Sequence, residues 1–231
     1  MSGPVYVALD MTETEEAASL AKRLRGHVGG VKLGLEFFVA NGPNGIRAVA
    51  DAGLPVFLDL KLHDIPNTVA GAMASAVALN PAIVTIHAGG GAAMMRAAAE
   101  AARKAKNPPL VIAVTVLTSL DDADLASVGQ QPPALEQAVR LASLAKESGL
   151  GGVVCSPHEV AAIRAQCGKE FKLVVPGIRP ASAALGDQKR VMTPAQAVAA
   201  GADHLVIGRP ITQAKDPVAA ARAIAAELRA G

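Results

Sequence analysis

Two hydrophobic patterns alternate along the chain. Short, nearly continuous apolar runs rich in β-branched residues occupy Val5–Leu9, Val28–Leu33, Pro55–Leu60, Ile83–His87, Leu110–Leu117, Gly152–Cys155, Lys172–Val175 and His204–Ile207. Unbroken apolar character over so few residues predicts parallel strands covered on both faces. Between them lie alanine-rich segments with helical spacing, among them Glu13–Arg25, Val69–Leu79, Ala92–Lys106, Leu135–Lys146 and Val218–Arg229. These predict helices.

Punctuation supports the alternation. Thr12 with Glu15, Ser156-Pro157 with Glu159, Thr193-Pro194 with Gln196, and Asp216-Pro217 each place a capping side chain ahead of a first helical turn. Gly26, Gly53, Gly149 and Gly201 stand where helices must end before the next strand. No linker, charge run or sequence repeat interrupts residues 1–231, which read as one domain. Eight β/α units in a chain of 231 residues predict a single-domain (β/α)8 TIM barrel. The alternative, a doubly wound open sheet, more often carries fewer strands.

Composition narrows the function classes. Hydrophobic residues make up 51% of the chain and charged residues 18%, which excludes disorder. Aromatics are 2%, so the core is aliphatic and a base-stacking platform for single strands is not expected. The net charge of +2, without a dense basic run, argues against a partner gripped by its nucleic-acid backbone. Cys155 and Cys167 lack metal-ligand spacing and read as reduced thiols of a cytoplasmic protein. No signal peptide is seen, and the apolar stretch Val69–Leu79 is too short to span a membrane.

The polar residues fall where a barrel needs them. Active sites of such barrels form at the C-terminal ends of the strands. Asp10, Lys32, Asp59, Lys61, Thr118, Arg179, Gly208 and Arg209 all stand at or just past strand ends and so converge on one mouth. The densest group is Asp59-Leu60-Lys61-Leu62-His63-Asp64. Strand alternation turns Asp59 and Lys61 to the same side. The bland reading of this group is a structural ion pair, with Asp64 capping the next helix. His63 and His87 read as packed or hydrogen-bonding imidazoles, and no metal site is expected. Ala88-Gly89-Gly90-Gly91 serves equally as a phosphate cradle or a tight turn.

A stronger anion site is Ile207-Gly208-Arg209-Pro210, after the eighth strand. The polar segment Pro176 to Arg190, with Gly177 and Gly186 as hinges, exceeds the needs of a βα connection. It reads as a lid over a phosphorylated ligand, with Arg179 or Gln188 on the phosphate.

Together these motifs resemble a known family. Val31-Lys32-Leu33-Gly34, Asp59-Leu60-Lys61-Leu62-His63-Asp64-Ile65-Pro66-Asn67-Thr68, Pro176-Gly177-Ile178-Arg179 and Ile207-Gly208-Arg209-Pro210-Ile211 are similar to the bacterial orotidine 5′-phosphate decarboxylases. Leu62 stands where many members carry an aromatic. The resemblance implies cofactor- and metal-independent decarboxylation of orotidine 5′-monophosphate to UMP, the last step of de novo pyrimidine synthesis. It implies Lys61 as proton donor in a charged array of Lys32, Asp59, Lys61 and Asp64. Asp10 and Lys32 would hold the ribose, Thr118 the pyrimidine edge, and Gln188, Gly208, Arg209 and Arg179 the phosphate. Asp64 and Thr68 would serve the neighbouring subunit's site in a homodimer.

Two rivals differ by residue. Related barrels that act on keto-gulonate or hexulose phosphates share the Asp-x-Lys-x-x-Asp run but use Mg²⁺, held partly by a glutamate near strand 2. Here that strand ends Lys32-Leu33-Gly34, with Glu36 further on. A non-catalytic sugar-phosphate barrel would lack the ammonium or a carboxylate at strand 3, where Asp59, Lys61 and Asp64 are all present.

Overall fold

The apolar runs become strands because each is followed by a helix that folds back and covers its outer face. A computed structural model describes residues 3–180 and 192–230. Its strands are β1 (Val5–Ala8), β2 (Gly30–Gly34), β3 (Val56–Leu62), β4 (Ile83–His87), β5 (Leu110–Val114), β6 (Gly152–Val154), β7 (Lys172–Val175) and β8 (His204–Ile207). They pair in parallel and in sequence order, and β8 closes on β1. The predicted barrel is the observed fold.

The helices alternate with them. They are α1 (Thr14–Leu24), α2 (Leu35–Ala50), α3 (Pro66–Val77), α4 (Gly91–Arg103), α5 (Asp122–Ser127) and α6 (Ala134–Glu147), then α7 (Val160–Cys167), α8 (Pro194–Ala200), α9 (Arg209–Thr212) and α10 (Pro217–Ala230). Alternate strand residues split the core in two. Tyr6, Ala8, Phe57, Ile83, Ile112, Val174 and Val206 fill the barrel's interior. Their neighbours, such as Val5, Val7, Val84 and Leu205, pack outward against the helices. Tyr6 packs edge-on against Phe57, with ring centroids 5.9 Å apart. Two of the five aromatics thus plug the barrel, and Phe57 forms part of the floor beneath its mouth.

The glycines expected to end helices at 26, 53, 149 and 201 all have positive φ, between 80° and 111°. Three of the predicted caps form, at Ser156, Thr193 and Asp216. The fourth does not. Helix α1 begins after Glu13 without a side-chain cap. Asn41 takes over that corner: its amide donates to the Thr12 carbonyl at 2.8 Å and its oxygen accepts from Thr14 Oγ1 at 2.7 Å. Helix α2 itself was hidden by Asn41-Gly42-Pro43-Asn44-Gly45, a turn-like run. The chain crosses that run as a kinked helix, with Gly42 at φ 59°.

On the face opposite the mouth, Arg164 ties α7 to the chain entering β7 and β8. Its guanidinium donates to the carbonyls of Gly168, Lys169, Phe171 and Gly201 and pairs with Asp203, which also meets Lys172 at 3.2 Å. Removing it takes the donor from four carbonyls, two of them part-buried, and leaves Asp203 with Lys172 and the Leu173 N–H. Arg164→Ala is therefore expected to cost about 2–4 kcal/mol of stability. By calorimetry that is a Tm lower by about 5–10 °C, with kcat unchanged. A Tm within a degree of wild type would show that these bonds add little.

Candidate active site

The strand ends deliver a line of alternating charge. Lys32 Nζ lies 3.4 Å from Asp10 Oδ1 and 3.4 Å from Asp59 Oδ2, and Lys61 Nζ lies 2.8 Å from that same Asp59 oxygen. Asp10, Lys32, Asp59 and Lys61 thus follow one another across the ends of β1, β2 and β3. Asp59 is the buried member, at 7% exposure. Burial alone would raise its carboxyl pKa. The ammonium groups of Lys32 and Lys61, with hydrogen bonds from Lys61 and Thr85, outweigh that and hold it below the usual carboxylate range. These surroundings favour the charged form of Asp59.

Simple alternation is not what aligns Asp59 with Lys61. Lys61 has φ 52°, and the register of β3 against β4 shifts between Leu58 and Leu62. This is a bulge that re-aims the lysine. A non-glycine residue in that conformation costs on the order of 1–3 kcal/mol and persists only where its surroundings hold it. Here the Lys61 N–H donates to Thr85 Oγ1 at 2.9 Å.

The line borders a cavity of about 450 Å³. Phe57, Val114, Val116, Val154 and Val206 give it an apolar wall. Asp10, Lys32, Asp59, Lys61, Thr118, Arg179, Gly208 and Arg209 supply the polar rim. Burial pushes the Arg179 guanidinium pKa down, and repulsion from nearby Arg209 adds to this. A phosphate dianion beside both would reverse that repulsion. The stem of the long segment is in place: Arg179 N–H donates to the Met192 carbonyl at 3.0 Å. Gln188 and the rest of residues 181–191, including Gly186, expected as a hinge, lie outside the described residues.

Of the residues expected in the array, Asp64 is set apart. It is exposed, is not among the cavity's lining residues, and accepts from the Ile65 N–H at 2.7 Å. Thr68 is likewise exposed and outside the lining. His63 and His87 stack on each other, with centroids 5.2 Å apart, and His87 Nδ1 accepts weakly from Gly89 N–H at 3.4 Å. Ala88–Gly90 forms a 3₁₀ turn leading into α4, the tight-turn reading of that glycine run. Among the described residues no three His, Cys, Asp or Glu side chains gather as metal ligands. Nor is any helix there long and apolar enough to cross a membrane.

The model of the Orotidine 5′-phosphate decarboxylase / HUMPS family matches residues 3–224. The chain belongs to this family. It is similar to the orotidine 5′-phosphate decarboxylase of Paramagnetospirillum magneticum, with 62% identity over 99% of each chain. The enzyme of that name from Novosphingobium aromaticivorans is 61% identical over 99% of this chain and 100% of its own. The crystal structure of orotidine 5′-phosphate decarboxylase from Lactobacillus acidophilus superposes with a TM-score of 0.86 at 38% identity, over 99% of each chain. Within this family frame the structure adds residues that strand-end reasoning missed. Thr85, fully buried in the apolar run of β4, bonds both Asp59 and Lys61. Thr212 and Gln213 line the cavity beside Arg209. A Cβ on Gly34 would stand 3.1 Å from Lys32 Nζ, so the glycine leaves that ammonium its room.

Proposed function

We propose that the protein decarboxylates orotidine 5′-monophosphate to UMP, without metal or organic cofactor, as the last step of de novo pyrimidine synthesis. The observation that carries this reading is the order of groups around the mouth. The pair Asp59–Lys61 stands at β3, and Lys32 with Asp10 at β2 and β1. Gly208 follows, where a Cβ would come within 3.8 Å of Asp10 Oδ2, with Arg209 beside it. Base, ribose and phosphate of a nucleotide follow the same order. Thr118, which follows β5 and lines the cavity, would meet the pyrimidine amide edge.

The chemistry follows from the charges. Breaking the bond from C6 to the carboxylate leaves an electron pair on C6 that no ring carbonyl can accept by resonance. A fixed ammonium, Lys61, stabilises that pair and then protonates it, giving UMP and CO2. Asp59, held ionised, stands beside the departing carboxylate and disfavours the substrate relative to the carbanion. One charge pair at 4 Å is worth about 4 kcal/mol at an effective dielectric of about 20. Enzymes lower barriers by about 8–23 kcal/mol. Phosphate binding must supply part of the remainder through positioning.

A homodimer with shared sites completes the reading. Asp64 and Thr68 are exposed and are not among the residues lining their own cavity. Leu35, Ile65 and Leu117, which follow β2, β3 and β5, are exposed at 51%, 67% and 38%. A second copy covering these residues would bring its own Asp64 and Thr68 to the first copy's mouth. Two free, buried cysteines fit a cytoplasmic location.

The test is loss of orotidine 5′-monophosphate absorbance with EDTA-treated protein. Turnover is expected to persist. Mg²⁺-dependent turnover of a keto-gulonate or hexulose phosphate, with none of orotidine 5′-monophosphate, would favour the sugar-phosphate branch, although Glu36 is exposed and absent from the cavity lining. No turnover on any terms would overturn the reading. Arg209→Ala is expected to lower kcat/KM about ten- to a hundredfold, since a charge-assisted bond is worth about 1.5–3 kcal/mol. With orotidine, which lacks the phosphate, the same substitution should matter little. Equal losses on both substrates would make Arg209 a structural residue.

A further inference from the structure

We infer that Thr85 is a positioning residue for the reaction: its single hydroxyl sets both the orientation of the Asp59 carboxylate and the left-handed backbone of Lys61. This rests on the reading of Asp59 and Lys61 given above. At the bulge, Leu58 pairs with Val84 and Leu62 with Ile86. Asp59, Leu60 and Lys61 therefore face one residue of β4, which is Thr85. The backbone ladder is interrupted there, and the side chain stands in for it.

A hydroxyl has one proton to give and lone pairs to accept with. Thr85 Oγ1 gives its proton to Asp59 Oδ1 at 2.9 Å and accepts the Lys61 N–H at 2.9 Å. With Oδ1 engaged by Thr85, Oδ2 is left for the two ammonium groups of Lys32 and Lys61. Thr85 is fully buried, so no water replaces it cheaply. The donated proton favours the ionised form of Asp59, the better acceptor. The charged groups facing Asp59 are Lys32 from β2 and Lys61 from β3. Asp10 lies beyond Lys32, and His63 and His87 beyond Lys61.

The direction of the pH effect follows. Asp59 is held below its ordinary pKa in part by the Thr85 bond. Removing the bond raises that pKa, so the acid limb of kcat/KM moves to higher pH. Valine matches threonine in shape but lacks the hydroxyl, and serine keeps the hydroxyl. Thr85→Val is expected to lower kcat about ten- to a hundredfold with a much smaller change in KM. Its acid limb should rise, and Thr85→Ser should restore both.

Carboxyl ¹³C NMR titration of wild type and Thr85→Val gives a reading independent of turnover: the Asp59 resonance should titrate at higher pH in the variant. A variant with a lowered Tm but unmoved kcat, pH profile and Asp59 titration would overturn the proposal, leaving Thr85 a packing residue. Wild type inactive on orotidine 5′-monophosphate would instead overturn the assigned reaction, and the NMR titration would still decide the role of Thr85. A variant too unstable to titrate is replaced by Thr85→Ala, for which the same three readouts decide.

Discussion

Lys61→Ala is expected to abolish turnover while leaving the barrel folded. Two separate contributions disappear together. General acid catalysis by a positioned group is worth about 10²–10⁴-fold. A fixed charge or donor at the developing anion is worth about 10²–10³-fold. Even the lower ends combine to about 10⁴-fold in kcat. The fold should survive because Lys61 is a rim residue, with 30% of its side chain exposed. Asp59 retains Lys32 at 3.4 Å and Thr85 at 2.9 Å. Alanine carries about the same cost as lysine at φ 52°, so the bulge is not relieved. Circular dichroism and Tm close to wild type, with kcat lost, is the expected pair of results. Retention of more than a few per cent of kcat in a folded variant would remove Lys61 from the role of proton donor.

The bulge also marks the limit of what residue types disclose. The barrel was legible because each strand is apolar on both faces and most helices are bounded by caps and glycines. Strands β4, β7 and β8 run from Ile83, Lys172 and His204 to His87, Val175 and Ile207, as the pattern predicts. Helix α2 was not legible, because Asn41 to Gly45 carries turn chemistry that tertiary packing overrides. The convergence of Asp10, Lys32, Asp59 and Lys61 follows from topology alone, since strand ends share one mouth. The conformation of Lys61 does not, because lysine gives no signal for positive φ. Thr85 was hidden for a related reason: a threonine within Ile83-Val84-Thr85-Ile86 reads as an ordinary β-branched strand residue. Its bonds to Asp59 and Lys61 become visible only once β4 lies beside a distorted β3.

Activity should reappear when two dead variants are mixed. Lys61→Ala lacks the proposed proton donor of its own cavity, and Asp64→Asn lacks the carboxylate proposed for its partner's. Each homodimer then has two defective sites. In a mixed dimer one site holds both lesions. The other combines Lys61 from the Asp64→Asn protomer with Asp64 from the Lys61→Ala protomer, and is intact. Random reassortment of equal amounts makes half the dimers mixed, each with one good site of two, so about one quarter of wild-type activity is expected. If Asp64 acted within its own chain, both sites of every mixed dimer would remain defective. The geometry sets the stakes, since Asp64 is exposed and engaged with the Ile65 N–H rather than lining the cavity. The measurement is decarboxylation after co-incubation under conditions where subunit exchange is verified with a tagged protomer. Exchange without recovered activity would confine Asp64 to its own subunit.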